Sequence, residues 1–96
     1  MKPLVFSPGA AEDIDLIWDY TADRWGIGQA ERYVLDLRDT CNALSRGDLS
    51  GRDGSAIRPG YRKQNCGSHV IFYRESAIEI VIVRILHQRM DFDRHL

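Results

Sequence analysis

The sequence predicts a two-layer α+β domain in the order β-α-α-β-β-β. A helical hairpin should pack on one face of a small, mainly antiparallel four-stranded sheet. Three observations carry this expectation. Two apolar series recur at helical spacing, Ile14, Ile17, Trp18, Thr21, Trp25 and then Ala30, Val34, Leu37, Cys41, Leu44, separated only by a short glycine-containing stretch. The second half alternates as strands do, with Val70 and Phe72 on one face and Ile71 and Tyr73 on the other. It then reaches a run from Ile78 to Ile85 that is apolar on both faces, which belongs inside a sheet and not at its margin. At 96 residues the chain can build one core, so residues 1–96 are read as one domain, with a flexible tail from about 88.

In chain order, Lys2 to Phe6 reads as a short first strand, with Leu4 and Phe6 on one face. Ser7-Pro8 starts a helix: the serine hydroxyl can accept from a free backbone N–H, and proline suits the first helical position. Leu16 and Tyr20 lie off the buried stripe of this helix and are read either as ordinary surface residues or as a partner-binding strip. Gly26-Ile27-Gly28 stops the first helix, and the second runs from Gln29 to about Arg46. Joined so tightly, the two helices must run antiparallel. Leu35 falls outside the seam, a second apolar residue without a core position. Asp48 to Ser55 reads as loop, and Ile57 to Lys63 as a weak edge strand interrupted by Pro59-Gly60. His69 to Arg74 is the third strand, and Arg74 to Ala77 the turn into the last.

Composition narrows the function. No apolar run approaches the ~20 residues of a membrane helix, and Met1 to Phe6 meets Ser7-Pro8 too soon for a signal peptide, so a cytoplasmic protein is expected. Cys41 and Cys66 fit that compartment as free thiols, and no histidine is spaced beside them to complete a metal site. No cofactor is implied. Net charge is −1, but residues 1–48 carry five basic and nine acidic side chains, and residues 49–96 eight basic and five acidic. Two surfaces of opposite sign suggest two kinds of partner.

Catalytic signatures are sparse. There is no Gly-x-Ser-x-Gly elbow and no Gly-Lys-Ser or Gly-Lys-Thr phosphate loop, and His69, His87 and His95 have no assignable partners. Asp13, Asp15, Asp19 and Asp23 are read as a solvated helix face. On the strands or just after them lie Arg58, Arg62, Lys63, Arg74, Arg84, His87 and Arg89. Such a set suits RNA phosphates, with a histidine to move a proton; on spacing alone it equally describes solvated strand ends.

Several of these segments resemble the ParE toxins of the RelE/ParE superfamily. They are Phe6-Ser7-Pro8, Ile17-Trp18-Asp19-Tyr20, Arg24-Trp25-Gly26, Gly60-Tyr61-Arg62, Val70 to Arg74, and above all Val83-Arg84-Ile85-Leu86-His87-Gln88-Arg89-Met90-Asp91. The resemblance implies the toxin of a type II toxin–antitoxin module that inhibits DNA gyrase without being an enzyme. It also implies neutralisation by a ParD-type antitoxin in a hetero-oligomer, for example two toxins with two antitoxins, which reaches operator DNA only through the antitoxin. Arg84, His87, Arg89, Met90 and Asp91 become the expected target-binding residues; Leu16, Asp19, Tyr20, Asp23 and Leu35 become those expected to meet antitoxin. The alternative within the superfamily is a ribosome-dependent mRNA endonuclease of the RelE type. Against it, no tyrosine follows the last strand, and lysine occurs only at Lys2 and Lys63.

Overall fold

A computed structural model describes all residues, 1–96. Strand β1 (Leu4–Phe6) leads into α1 (Pro8–Trp25) and α2 (Ile27–Arg46). Four further strands follow, β2 (Arg52–Asp53), β3 (Arg62–Cys66), β4 (His69–Glu75) and β5 (Ile80–His87), and then a one-turn helix α3 (Phe92–His95). The sheet order is β1-β5-β4-β3-β2. β1 runs parallel to β5, with Leu4 beside Ile80 and Phe6 beside Ile82, and all other neighbours are antiparallel.

The expected architecture holds, with five strands instead of four. The extra strand is the two-residue β2, inside the segment read as loop: Arg52 pairs with Lys63 and Asp53 with Arg62. The strand expected from Ile57 begins only at Arg62, because Gly54 N–H closes onto Tyr61 O across a turn and Pro59 has no N–H for a ladder. Gly60 sits in that turn at φ 82°, open to glycine at little cost. The last strand likewise starts at Ile80. Ser76 Oγ accepts from the N–H groups of Ile78 and Glu79, so a serine-led turn takes Ile78 out of the sheet.

Ser7 caps α1 as anticipated, accepting from Ala10 N–H at 3.0 Å and donating to Val83 O at 2.6 Å, so the cap also ties the helix to β5. A single residue, Gly26 at φ 92°, joins the helices, and α2 starts at Ile27, two residues earlier than expected. Gly47 closes α2 in the left-handed conformation. The main core lies between the hairpin and the sheet: Ile14 and Ile17 of α1 and Leu37, Cys41 and Leu44 of α2 pack on Ile71, Tyr73, Ile80, Ile82 and Ile85. Trp25, placed by spacing in the buried stripe, is instead 64% exposed at the hairpin tip, where its ring meets Tyr20 edge-on at 6.3 Å. The other sheet face carries Val70, Phe72 and Leu86, covered by Ile57, Phe92 and Leu96. The residues after β5, expected as a tail, thus place Phe92 edge-on to Phe72 at 4.8 Å.

A bulge decides what the end of β5 presents. Tyr73 pairs with Ile82 but Phe72 pairs with Arg84, so Val83 is an extra residue. Beyond it the faces of β5 exchange. Ile85 joins Ile80 and Ile82 on the helix side, and Arg84 stands across from Phe72, not on the face of Ile80 and Ile82 where unbroken alternation puts it.

Candidate functional site

Beyond Phe6 the β1 edge stops, and the rest of β5 is bordered by the start of α1. Here Asp13 does the work of a strand. Its Oδ2 accepts from Ile85 N–H at 2.9 Å and from Arg84 Nε at 2.7 Å, and its Oδ1 accepts from Arg84 Nη2 at 2.8 Å. The fork geometry is the bidentate one that guanidinium and carboxylate favour. Asp13 is only 7% exposed, so the reading of it as part of a solvated acidic face is corrected. The carboxylate raises the Arg84 guanidinium further above its already high ionisation range. Arg84 also donates from Nη1 to His95 O at 2.9 Å, joining α1, β5 and α3 at one point.

Two residue pairs beyond Ile71–Ile85 along the ladder, the register sets His69 directly across from His87. Their rings meet edge to face with centroids 5.3 Å apart. Tyr33 of α2 completes the group, its hydroxyl 2.6 Å from His69 Nδ1 and accepting from Ser68 N–H at 2.9 Å. Burial, and then the neighbouring His87, push the His69 imidazole down to about 4, so it is neutral at ordinary pH. Burial also raises the Tyr33 phenol above its usual range. His87 Nδ1 accepts from Arg89 N–H at 3.2 Å.

This group opens on both sides. Towards the hairpin tip, a cavity of about 290 Å³ is walled by Tyr20, Trp25, Tyr33, His69 and His87. Along α1, a groove of about 450 Å³ shares Tyr20, His69 and His87 with it and continues past Leu16, Arg84 and Met90. The rim is apolar and bare: Leu16 is 57% exposed, Tyr20 58% and Met90 37%.

The residues singled out from sequence therefore divide. Leu16 and Tyr20, expected to meet antitoxin, share one groove with Arg84, His87 and Met90, expected to meet the target. Leu35 is also exposed but lies elsewhere, beside Trp18, Glu31, Val34 and Arg38 on the hairpin. Asp19 and Asp23 are exposed on α1, Arg89 is exposed just past β5, and Asp91 stands at the cap position of α3. The basic set does not converge. Arg62 donates to Gly51 O, Arg58 pairs with Asp93, Arg74 lies over the Tyr61 ring at 5.8 Å, and Arg84 is committed to Asp13. Asp13, Tyr33 and His69 are the site residues that sequence reasoning passed over. A buried carboxylate has no pattern of its own on an acidic helix, and the histidine pairing depends on the bulge.

The arrangement offers a neutral imidazole at His69, a second imidazole at His87, a phenol and apolar walls, which suit recognition and proton relay. No group of three or more His, Cys, Asp or Glu is placed to hold a metal ion. No helix is long and apolar enough to cross a membrane.

Comparison with known proteins agrees with this geometry. The family model described as "ParE toxin of type II toxin-antitoxin system, parDE" matches residues 4–92. Toxin ParE1 of Mycobacterium tuberculosis is 46% identical over 95 residues, covering 96% of this chain and 95% of the relative. Toxin ParE1 of Caulobacter vibrioides is 40% identical over 96 residues, covering 100% and 99%. The solved chromosomal ParDE toxin–antitoxin system from P. aeruginosa superposes with a TM-score of 0.78 at 26% identity, covering 91% of this chain and 96% of that one. With its first strand, its helical hairpin and its last-strand motif all inside the matched span, the chain belongs to the ParE toxin family of type II toxin–antitoxin systems.

Proposed function

We propose that this chain is a non-enzymatic toxin of the bacterial cytoplasm that inhibits DNA gyrase and is neutralised by a ParD-type antitoxin. Its full-length relation to proteins named Toxin ParE1, at 46% identity, is the observation that carries the reading. The dispersal of the strand arginines adds support, because RNA cleavage needs cations and a proton-transfer group gathered on one phosphate.

In this reading the end of β5 and the turn after it are the target-binding element. His87, Arg89, Met90 and Asp91 present their side chains there. Arg84 holds the element in place through Asp13 and the α3 carbonyl. Antitoxin covers α1, with Leu16 and Tyr20 as apolar anchors, Asp19 and Asp23 facing basic residues of the partner, and Leu35 meeting a more distant part of it. The assembly is a hetero-oligomer, for example two toxins with two antitoxins, and operator DNA is reached through antitoxin alone.

The test is induced expression without antitoxin, with labelled precursors reporting DNA and protein synthesis over the first minutes. Early loss of DNA synthesis while translation continues is expected. Translation failing first would overturn the gyrase reading in favour of an mRNA endonuclease.

A further inference from the structure

We propose that the cavity beneath the hairpin tip is a binding site for a carboxylate, supplied by an acidic side chain of the antitoxin, with His69 and His87 as its donors. The proposal rests on the antitoxin reading above and names the chemistry of one contact within it.

The hydrogen-bond contacts favour one tautomer for each imidazole. Tyr33 has one hydroxyl proton and two acceptors in reach, His69 Nδ1 at 2.6 Å and Cys66 O at 3.4 Å. With the 2.6 Å contact taken as the donated one, neutral His69 carries its own proton on Nε2. On His87, the N–H of Arg89 donates to Nδ1, which places that proton on Nε2 as well. No group of the chain accepts from either Nε2, yet no buried side-chain polar atom lacks a partner. Both Nε2 atoms are therefore at least partly accessible, and both rings line the cavity and the groove.

That space holds a surplus of donors. The single carboxylate on its walls, Asp13, has both oxygens committed to Arg84 and Ile85. Two N–H groups on a cross-strand pair call for an acceptor with more than one oxygen and no hydrogen of its own, which describes a carboxylate. The sign of the surroundings agrees. Arg24 lies over the Tyr20 and Trp25 rings that wall the cavity, at 5.2 and 5.7 Å, and neither it nor Arg89 forms an ion pair. An anion entering here would be bordered by two imidazole rings, with Arg24 on the wall rings and Arg89 two residues beyond His87 as nearby cations. The residue beside it on the partner is apolar, since the adjoining groove offers Leu16, Tyr20 and Met90.

A double-mutant cycle between full-length toxin and antitoxin tests this. On the toxin, His87→Leu removes the donor and His87→Gln keeps an N–H at similar reach; circular dichroism checks that each variant is folded. On the antitoxin, each Asp and Glu of its toxin-binding segment is changed singly to Asn or Gln. One acidic position is expected to weaken binding to the unaltered toxin at least tenfold. The same change should have little further effect against His87→Leu, while His87→Gln should retain most of the affinity. If the two proteins associate but no acidic position couples to His87, the carboxylate assignment is overturned and the antitoxin reading stands. If folded toxin and antitoxin do not associate at all, both fall.

Discussion

Asp13 is the residue on which most of the local order depends. Its two oxygens satisfy a β5 amide beyond the end of β1 and a guanidinium, and it is nearly excluded from water. Replacing it with alanine leaves Ile85 N–H and Arg84 unpaired together, a loss of about 2–4 kcal/mol by analogy with broken buried charge pairs. Asp13→Asn keeps an acceptor for Ile85 and should lose less; urea midpoints of the two variants check the ordering. His69 makes a pH prediction. Its folded-state value, about 4, lies below the ordinary 6.5, so between these values the unfolded chain binds the proton and the folded one does not. Stability from this group is therefore full above pH 6.5 and falls as pH drops towards 4. The difference in urea midpoint between the native chain and His69→Gln should narrow across that window. A constant difference would show that His69 titrates normally. Neither residue was legible from sequence, since Asp13 sits among three other aspartates within eleven positions and only packing distinguishes it.

Among the elements, the helices were legible almost to their ends, because an apolar period near 3.6 residues, sustained over about five turns, fits a helix and no strand. Trp25 failed because periodicity does not say where a helix outruns the sheet beneath it. The strands were read less well, for two local reasons. Ser76 and the Pro59-Gly60 turn remove residues from ladders that composition alone would extend. The Val83 bulge is the larger loss: with unbroken pairing from Glu75–Ile80, His69 would face Leu86, and the histidine pair would not exist. β2 survives because Gly51 lets the chain pass close to Tyr73, whose hydroxyl accepts Gly51 N–H at 2.9 Å. A Cβ at Gly51 would come within 2.6 Å of Lys63 O and collide with the Tyr73 hydroxyl. Gly51→Ala is thus expected to cost about 1–3 kcal/mol, read as a lower thermal midpoint. The segment after β5 belongs to this scale too. Removing residues 92–96 would uncover Phe72, so a loss of toxicity on truncation would mix target binding with a bared apolar face. Point changes at Arg89, Met90 and Asp91 separate the two, and are expected to lower toxicity without moving the unfolding midpoint.

At the scale of the whole molecule, the charge division of the sequence maps onto the layers. The hairpin carries eight acidic side chains against four basic ones, and the strands five basic against two acidic. Charge reversal at Asp19 and Asp23 should therefore weaken antitoxin binding more at low salt than at high salt, measured by titration calorimetry at two ionic strengths. An affinity unchanged by salt would remove the hairpin from the electrostatic part of the interface. The fold places Leu16, Tyr20, His87 and Met90 along one groove, so antitoxin seated on α1 would cover part of the surface offered to the target. With both surfaces placed as proposed, neutralisation by occlusion would need no change of shape. The central claim is that the target is gyrase, and a supercoiling assay addresses it most directly. Purified gyrase, relaxed plasmid and ATP are mixed with rising amounts of this protein, with and without antitoxin. The account predicts loss of supercoiling that antitoxin reverses; full supercoiling in the presence of excess folded toxin would contradict it.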